Sequence, residues 1–202
     1  VVQIVATTLQ VDVGDISCTA TRTDKVPNTS PTAASSGSDL NGMAAKQAAE
    51  TLKHRLSEFA AKHFAVDPSA VQFASGHIHI GGHTLTFAEL ARLAYVNRVS
   101  LSAVGYYRTP KIHYDRSLAR GRPFYYFAYG AAVSEVTIDT LTGEYKVHRV
   151  DICHDVGESL NPALDLGQIE GGFIQGMGWV TNEELVWDDQ GRLLTDLSLI
   201  HI

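Results

Sequence analysis

Between Thr29 and Asp39 the chain reads Thr-Ser-Pro-Thr-Ala-Ala-Ser-Ser-Gly-Ser-Asp, an eleven-residue run of small and hydroxylated residues. Thr32, Ser35, Ser36 and Ser38 offer hydroxyls, while Ala33, Ala34 and Gly37 let a ligand come close to the backbone. The run leads directly into a helical pattern. A helix start leaves its first amides without intrahelical partners, which suits an anion or a polar, phosphate-bearing cofactor. A serine-rich capped loop that binds nothing is the competing reading of the same composition. A second cluster lies downstream, where Gly167, Gly171, Gly172, Gly176 and Gly178 crowd another helical stretch. Each glycine costs a helix roughly 1 kcal/mol relative to alanine. Such density implies that a ligand or another backbone lies close; tight helix packing explains it equally well. Among these glycines stands Gln168, whose amide donates and accepts hydrogen bonds at once.

Other chemistry-bearing residues are less specific. His77, His79 and His83 contain enough imidazoles for zinc, and alternation puts His77 and His79 on one face of a strand. Their spacing is loose and no carboxylate or cysteine stands beside them, so a surface strand explains them as well. Cys153, His154 and Asp155 are adjacent in sequence, whereas the members of a catalytic triad meet in space. No Gly-x-Ser-x-Gly elbow, Walker loop or dinucleotide fingerprint occurs. Glu135 and Glu170 fall inside regular elements, where a surface or capping role is expected.

The elements that must hold these residues follow from periodicity. Leu40, Met43, Ala44, Ala48, Leu52, Leu56, Phe59, Ala60 and Phe64 recur at three- and four-residue steps, predicting a helix with Ser38 or Asp39 as its N-cap. A shorter helix is expected over residues 1–10, then a half-buried strand within 11–23 carrying Ile16, Cys18 and Ala20. The Val66-Asp-Pro-Ser69 break precedes short strands at 71–74, 77–80 and 84–85, joined by Ser75-Gly76 and Gly81-Gly82 turns. Thr86-Phe-Ala-Glu89 is a capping-box pattern opening a helix. Residues 122–153 read as a long hairpin turning at Thr140-Leu-Thr-Gly143. Asn161-Pro162 then caps and starts the helix that carries Gln168, with Leu164, Ile169, Phe173, Ile174 and Met177 on its apolar side. The fold class is α+β: mixed sheets with a long hairpin and packed helices, read as one unit.

Composition removes several functions. The net charge of −6, with no basic cluster, argues against a nucleic-acid surface. No apolar run reaches membrane-spanning length. Cys18 and Cys153 are the only cysteines, far apart, which predicts a reduced cytoplasmic setting and no iron–sulfur cluster held by this chain.

The wording of four segments, in order along the chain, adds what composition cannot. Pro27-Asn-Thr-Ser-Pro-Thr-Ala-Ala-Ser-Ser-Gly-Ser-Asp-Leu-Asn-Gly42 resembles the molybdopterin-binding region of xanthine dehydrogenases, in the molybdenum hydroxylase family. Gly105-Tyr-Tyr-Arg-Thr-Pro110 and Pro123-Phe-Tyr-Tyr-Phe-Ala-Tyr-Gly-Ala-Ala-Val-Ser-Glu-Val136 are similar to the same family. So are the segment Asp155-Val-Gly-Glu-Ser-Leu-Asn-Pro-Ala-Leu-Asp-Leu-Gly-Gln-Ile-Glu-Gly171, its continuation Phe173-Ile-Gln-Gly-Met-Gly178, and Glu183-Glu-Leu185. The resemblance implies that Ala33 and Ala34 sit beside the molybdenum centre, with Ala34 marking the metal. No side chain is implied as a metal ligand, because the cofactor's dithiolene sulfurs take that part. Thr32, Ser35, Ser36 and Ser38 become candidate hydrogen-bond partners of the pterin or its phosphate. Gln168, in the Gly-Gln-x-Glu-Gly pattern, becomes a contact to the pterin edge. Tyr107 and Arg108 are expected to be structural or to stand behind the contact residues.

The resemblance also implies a purine substrate, iron–sulfur clusters and FAD in partner subunits or domains, and an oligomeric complex. An aldehyde oxidase-type hydroxylase and a non-catalytic molybdopterin-binding module are the alternatives. The family's basic glutamate lies in a Gly-Glu-Pro-Pro motif that does not occur in these residues, so the chain alone is not expected to catalyse. Residues 1–196 are expected to be part of the molybdopterin-binding domain. Residues 197–202, Leu-Ser-Leu-Ile-His-Ile, depart from the family's wording and are expected to be a non-native, adapter-encoded tail.

Overall fold

The apolar steps from Leu40 to Phe64 form one helix, α2 (Gly37–Phe64), of 28 residues and therefore about 42 Å long. The computed structural model describes residues 1–20, 22, 24, 32 and 35–195. The first bond of α2 runs from Leu40 N to Ser36 O (3.0 Å), which makes Ser36 the N-cap. Ser38 and Asp39, the predicted caps, lie inside the first turn, where the Asp39 carboxylate complements the helix dipole. At the other end Ala65 takes a left-handed conformation (φ 53°) and its N–H reaches Ala61 O.

The chain divides into two compact units, Val1–Tyr125 and Tyr126–Ile202, where the sequence reads as one. In the first unit α2 lies against an antiparallel sheet of β1 (Val71–Ala74), β2 (His77–Ile80) and β3 (His83–Thr86), with β2 in the middle. The helix α3 (Phe87–Val96) follows at once. Leu56 and Ala60 of α2, Ile78 and Ile80 of β2, and Leu90 and Ala94 of α3 form the buried core. Phe59, Phe73 and Phe87 flank it. The predicted capping box on α3 is complete: Thr86 Oγ1 accepts from Glu89 N, and the Glu89 carboxylate accepts from Thr86 N (2.8 Å).

The opening helix α1 (Val2–Leu9) packs on α2 through Ala6, Leu9 and Ala49. Their approach is close enough that a Cβ at Gly42 would lie 2.5 Å from Ile4 Cδ1. The strand expected within 11–23 does not form in its described part. Asp12 caps a short 3-10 turn at Val13–Asp15, and residues 16–20 run without a neighbouring strand to complete a ladder. A small hairpin that the sequence reading missed, β4 (His113–Asp115) and β5 (Arg120–Arg122), is turned by Asp115, whose Oδ1 accepts from Ser117 N and Leu118 N.

The second unit holds the long hairpin and the last helix. β6 (Gly130–Ile138) pairs antiparallel with β7 (Tyr145–His154), with a register shift at Glu135/Val136. Pairing begins at Gly130 rather than at Phe124. The turn is closed by Asp139 N to Glu144 O (2.8 Å), and Gly143 adopts φ 79°. Asn161 caps α4 (Pro162–Thr181) by accepting from Leu164 N, with Pro162 in the tolerated first position. No described residue of this unit is buried. No helix among the described residues is long and apolar enough to cross a membrane.

Candidate functional site

One candidate segment is the start of α2, in the first unit. Thr32, Ser35 and Ser38 are exposed there, and the N-cap Ser36 is half-buried. The Thr32 methyl lies 3.8 Å from where a Cβ at Gly37 would stand, so the threonine rests against the helix start. The Ser36 side chain does not accept the capping hydrogen bond. The dipole of a long helix ends here, with its positive end toward the hydroxyls. Ala33 and Ala34 lie outside the described residues.

A second motif is carried to the same end of α2. Arg55 Nη1 donates to the carbonyls of Ser100 (2.6 Å) and Ser102 (3.0 Å). Further along, Gln47 Oε1 accepts from Tyr106 N (2.8 Å). At Gly105 the contact is backbone to backbone: an added Cβ would lie 1.8 Å from Ala44 O and 2.8 Å from Ala48 N. As the chain advances from 100 to 106, its anchors step back from Arg55 to Gln47 and Ala44. The segment therefore runs antiparallel to α2 and carries Tyr107 and Arg108 toward the Thr32–Ser38 end. Gln47 and Arg55 were not singled out in the sequence. Their only signal was a polar residue type on the helix, which a solvated face shows equally.

A separate candidate segment lies in the second unit. Gln168 is exposed on α4, two turns in from the Asn161 cap. Gly167, Gly171, Gly172 and Gly176 have nothing within 4 Å of an added Cβ. Among the described residues these glycines therefore do not serve tight helix packing. Only Gly178 of this series meets a neighbour, Glu183 Oε1 at 3.0 Å. Beside α4 an apolar groove of about 550 Å³ runs along the hairpin, lined by Val136, Ile138, Val147, Phe173, Met177 and Val180. Tyr145 donates to Asn182 Oδ1 (3.0 Å), joining hairpin and helix at one point. The alternation of 136 and 138 with the helical steps 173, 177 and 180 was the signal for this groove. Leu164 and Ile174, expected on the apolar side, are exposed.

The remaining candidates do not join either segment. His77 and His79 lie on the open face of β2, whereas His83 sits opposite Ile80 on the core side, its ring 4.9 Å from that of Phe64. No group of three or more His, Cys, Asp or Glu among the described residues can hold a metal. His154 lies against Gly130, whose added Cβ would lie 2.7 Å from His154 Nδ1. Asp155 instead accepts from Gly157 N (2.8 Å), and Cys153 is an exposed free thiol. Glu135 and Glu170 are exposed.

Carboxylates held below their ordinary range belong to caps and turns. Hydrogen bonds from the Thr86 backbone and hydroxyl lower Glu89, and those from the Ser69 hydroxyl and backbone lower Asp67. The Ser117 hydroxyl, with the Leu118 and Ser117 amides, lowers Asp115. The Arg192 backbone, then its side chain, lowers Asp188. Each segment offers neutral groups: hydroxyls at a helix start in the first unit, one carboxamide among open glycines in the second. Both sets are of a kind that suits a polar cofactor.

Comparison with known proteins was consistent with this repertoire. The molybdopterin cofactor-binding domain family matches residues 1–198. The chain is 44% identical over 192 residues to a xanthine dehydrogenase of Oryza sativa subsp. japonica, covering 95% of this chain and 13% of that protein. It is 45% identical over 197 residues to one of Dictyostelium discoideum, covering 96% and 13%. Among solved structures, reconstituted CO dehydrogenase from Oligotropha carboxidovorans superposes with a TM-score of 0.79 at 26% identity, over 96% of this chain and 23% of that one. The chain thus spans about an eighth of the length of the curated relatives.

Proposed function

Since the chain belongs to the molybdopterin cofactor-binding domain family, we propose that it is the cofactor-holding part of a xanthine dehydrogenase. The whole protein hydroxylates hypoxanthine and xanthine to urate with oxygen from water. The observation that favours this substrate class is the identity to xanthine dehydrogenases, 44–45% over nearly the whole chain, against 26% to a CO dehydrogenase.

The residues present fit the cofactor. Exposed hydroxyls of Thr32, Ser35 and Ser38 at a helix start offer donors and acceptors to a phosphate or pterin edge. The exposed Gln168 amide offers both to ring nitrogens, and the open glycines around it permit close approach. Ala33 and Ala34 belong to the first segment in this reading, with Ala34 assigned to the metal's neighbourhood. Bound molybdopterin supplies the redox chemistry, its own sulfurs holding molybdenum. The chain's task is to bind and orient it. The catalytic base, iron–sulfur clusters and FAD come from other parts of the same complex, which is oligomeric and cytoplasmic.

The test is made on the intact complex. Ala34→Phe and Gln168→Ala are each expected to lower molybdenum content and purine-dependent turnover together. Unchanged molybdenum content in both variants would overturn these assignments. A molybdenum-replete wild-type complex that oxidises aldehydes but not purines would make the protein an aldehyde oxidase. One that turns over neither would make it a binding module.

A further inference from the structure

β2 is the central strand of its sheet, and its two faces differ completely. One face carries Ile78 and Ile80, both fully buried, and the other carries His77 and His79, both exposed. The open face is completed by the register partners of the two histidines. Ala74 and Thr86 stand beside His77, and Gln72 and Thr84 beside His79. None of these carries a positive charge. Glu89, in the capping box on Thr86, is near enough to His77 for the two to interact electrostatically.

The imidazoles are also held in a defined way. His77 Nδ1 lies 3.1 Å from Ser75 O. A carbonyl only accepts, so Nδ1 is the donor of this contact, and the neutral ring then offers its lone pair on Nε2. His79 Nδ1 lies 3.0 Å from Thr84 Oγ1, a hydroxyl that can accept in the same sense. Each ring is thus oriented through Nδ1 by a neighbour, as metal-bound histidines are. Two residues apart on one strand, their Cα atoms are separated by roughly 6.7 Å with both side chains on the same side. Neutral imidazole suits copper, nickel and zinc, while magnesium and calcium prefer oxygen.

We propose that His77 and His79 form a two-imidazole chelate for a divalent transition-metal cation, Zn²⁺ or Cu²⁺, with water completing the coordination. The pair is independent of the molybdopterin reading. It requires neither His83, which stands on the opposite face of the sheet, nor any residue proposed to hold the cofactor.

The experiment uses the untagged intact protein, titrated with Zn²⁺ by calorimetry and with Cu²⁺ by electron paramagnetic resonance. Wild type is expected to take up both metals, with nitrogen hyperfine structure in the copper spectrum. His77→Gln and His79→Gln are each expected to weaken binding by about tenfold or more, and Thr84→Val by about tenfold through loss of the orienting hydroxyl. The double histidine variant should lose the site while His83→Gln keeps it. Both histidines are exposed, so circular dichroism of the variants should match wild type. Binding that survives unchanged in the double variant would overturn the proposal. So would equal competition by Mg²⁺, or the absence of nitrogen coupling in wild type.

Discussion

Gly105 shows how a single missing side chain can fix the path of a segment. Its Cα passes so close to α2 that a Cβ would lie 1.8 Å from Ala44 O, and backbone on both sides leaves no flexible neighbour to yield. Gly105→Ala is expected to destabilise the first unit by about 1–3 kcal/mol or more, read as a lower urea midpoint. Glu89 gives a second prediction. Its carboxyl is held below its ordinary value of 4.5 by hydrogen bonds from the Thr86 backbone and hydroxyl. A lowered folded value means that its contribution to stability is complete above the ordinary value and lost as pH falls through the folded one. Unfolding midpoints of Glu89→Gln should therefore be flatter than wild type in that acid window; parallel curves would remove Glu89 as the source. At this scale Thr32, Ser35, Ser38 and Gln168 stand out in the sequence because their chemistry is unusual for their place, and their hold on the cofactor is the proposal made above. Gln47 and Arg55 could not, since they act on main-chain atoms 45 to 59 residues away.

Elements were readable where their signals are local. The box on α3, the Asn161 cap of α4 and the turn of the β6–β7 hairpin each lie within a few residues, and each formed as expected. Thr86→Ala should cost about 1 kcal/mol of stability by removing that cap, measured by thermal denaturation. Residues 11–20 failed because alternation specifies a face but not a partner, and no strand among the described residues pairs with them. The β4–β5 hairpin was missed for the converse reason: its three-residue strands are too short for a period to show. The glycines of α4 allow the two readings of their density to be separated. Nothing lies within 4 Å of an added Cβ at Gly171, so Gly171→Ala should raise the stability of this chain by about 1 kcal/mol. In the intact complex the same change should lower molybdenum content if that face receives the cofactor. Retained content would assign the glycines to another neighbour.

The two units differ most at the scale of the molecule. The first has a buried core of six residues contributed by α2, β2 and α3, while no described residue of the second is buried. Val133, Leu164, Trp179 and Val180 are all more than 60% exposed. Burial of apolar area is the main stabilising term, so the amides of β2 should resist hydrogen exchange longest and those of β6 and β7 exchange first. The isolated chain should also bind a hydrophobic dye through the second unit. Equal protection of both units would show that the hairpin finds its cover within this chain. Division into two units was not readable from the sequence, because no linker composition marks residues 125 and 126. The tether along α2 has a last consequence. Arg55 and Gln47 grip carbonyl and amide groups of residues 100, 102 and 106, which every amino acid but proline supplies alike. The identities of the exposed Leu101 and Val104 are thus released from holding the path, and a library varied there should keep its alignment. Drift is free along this stretch until it reaches Gly105.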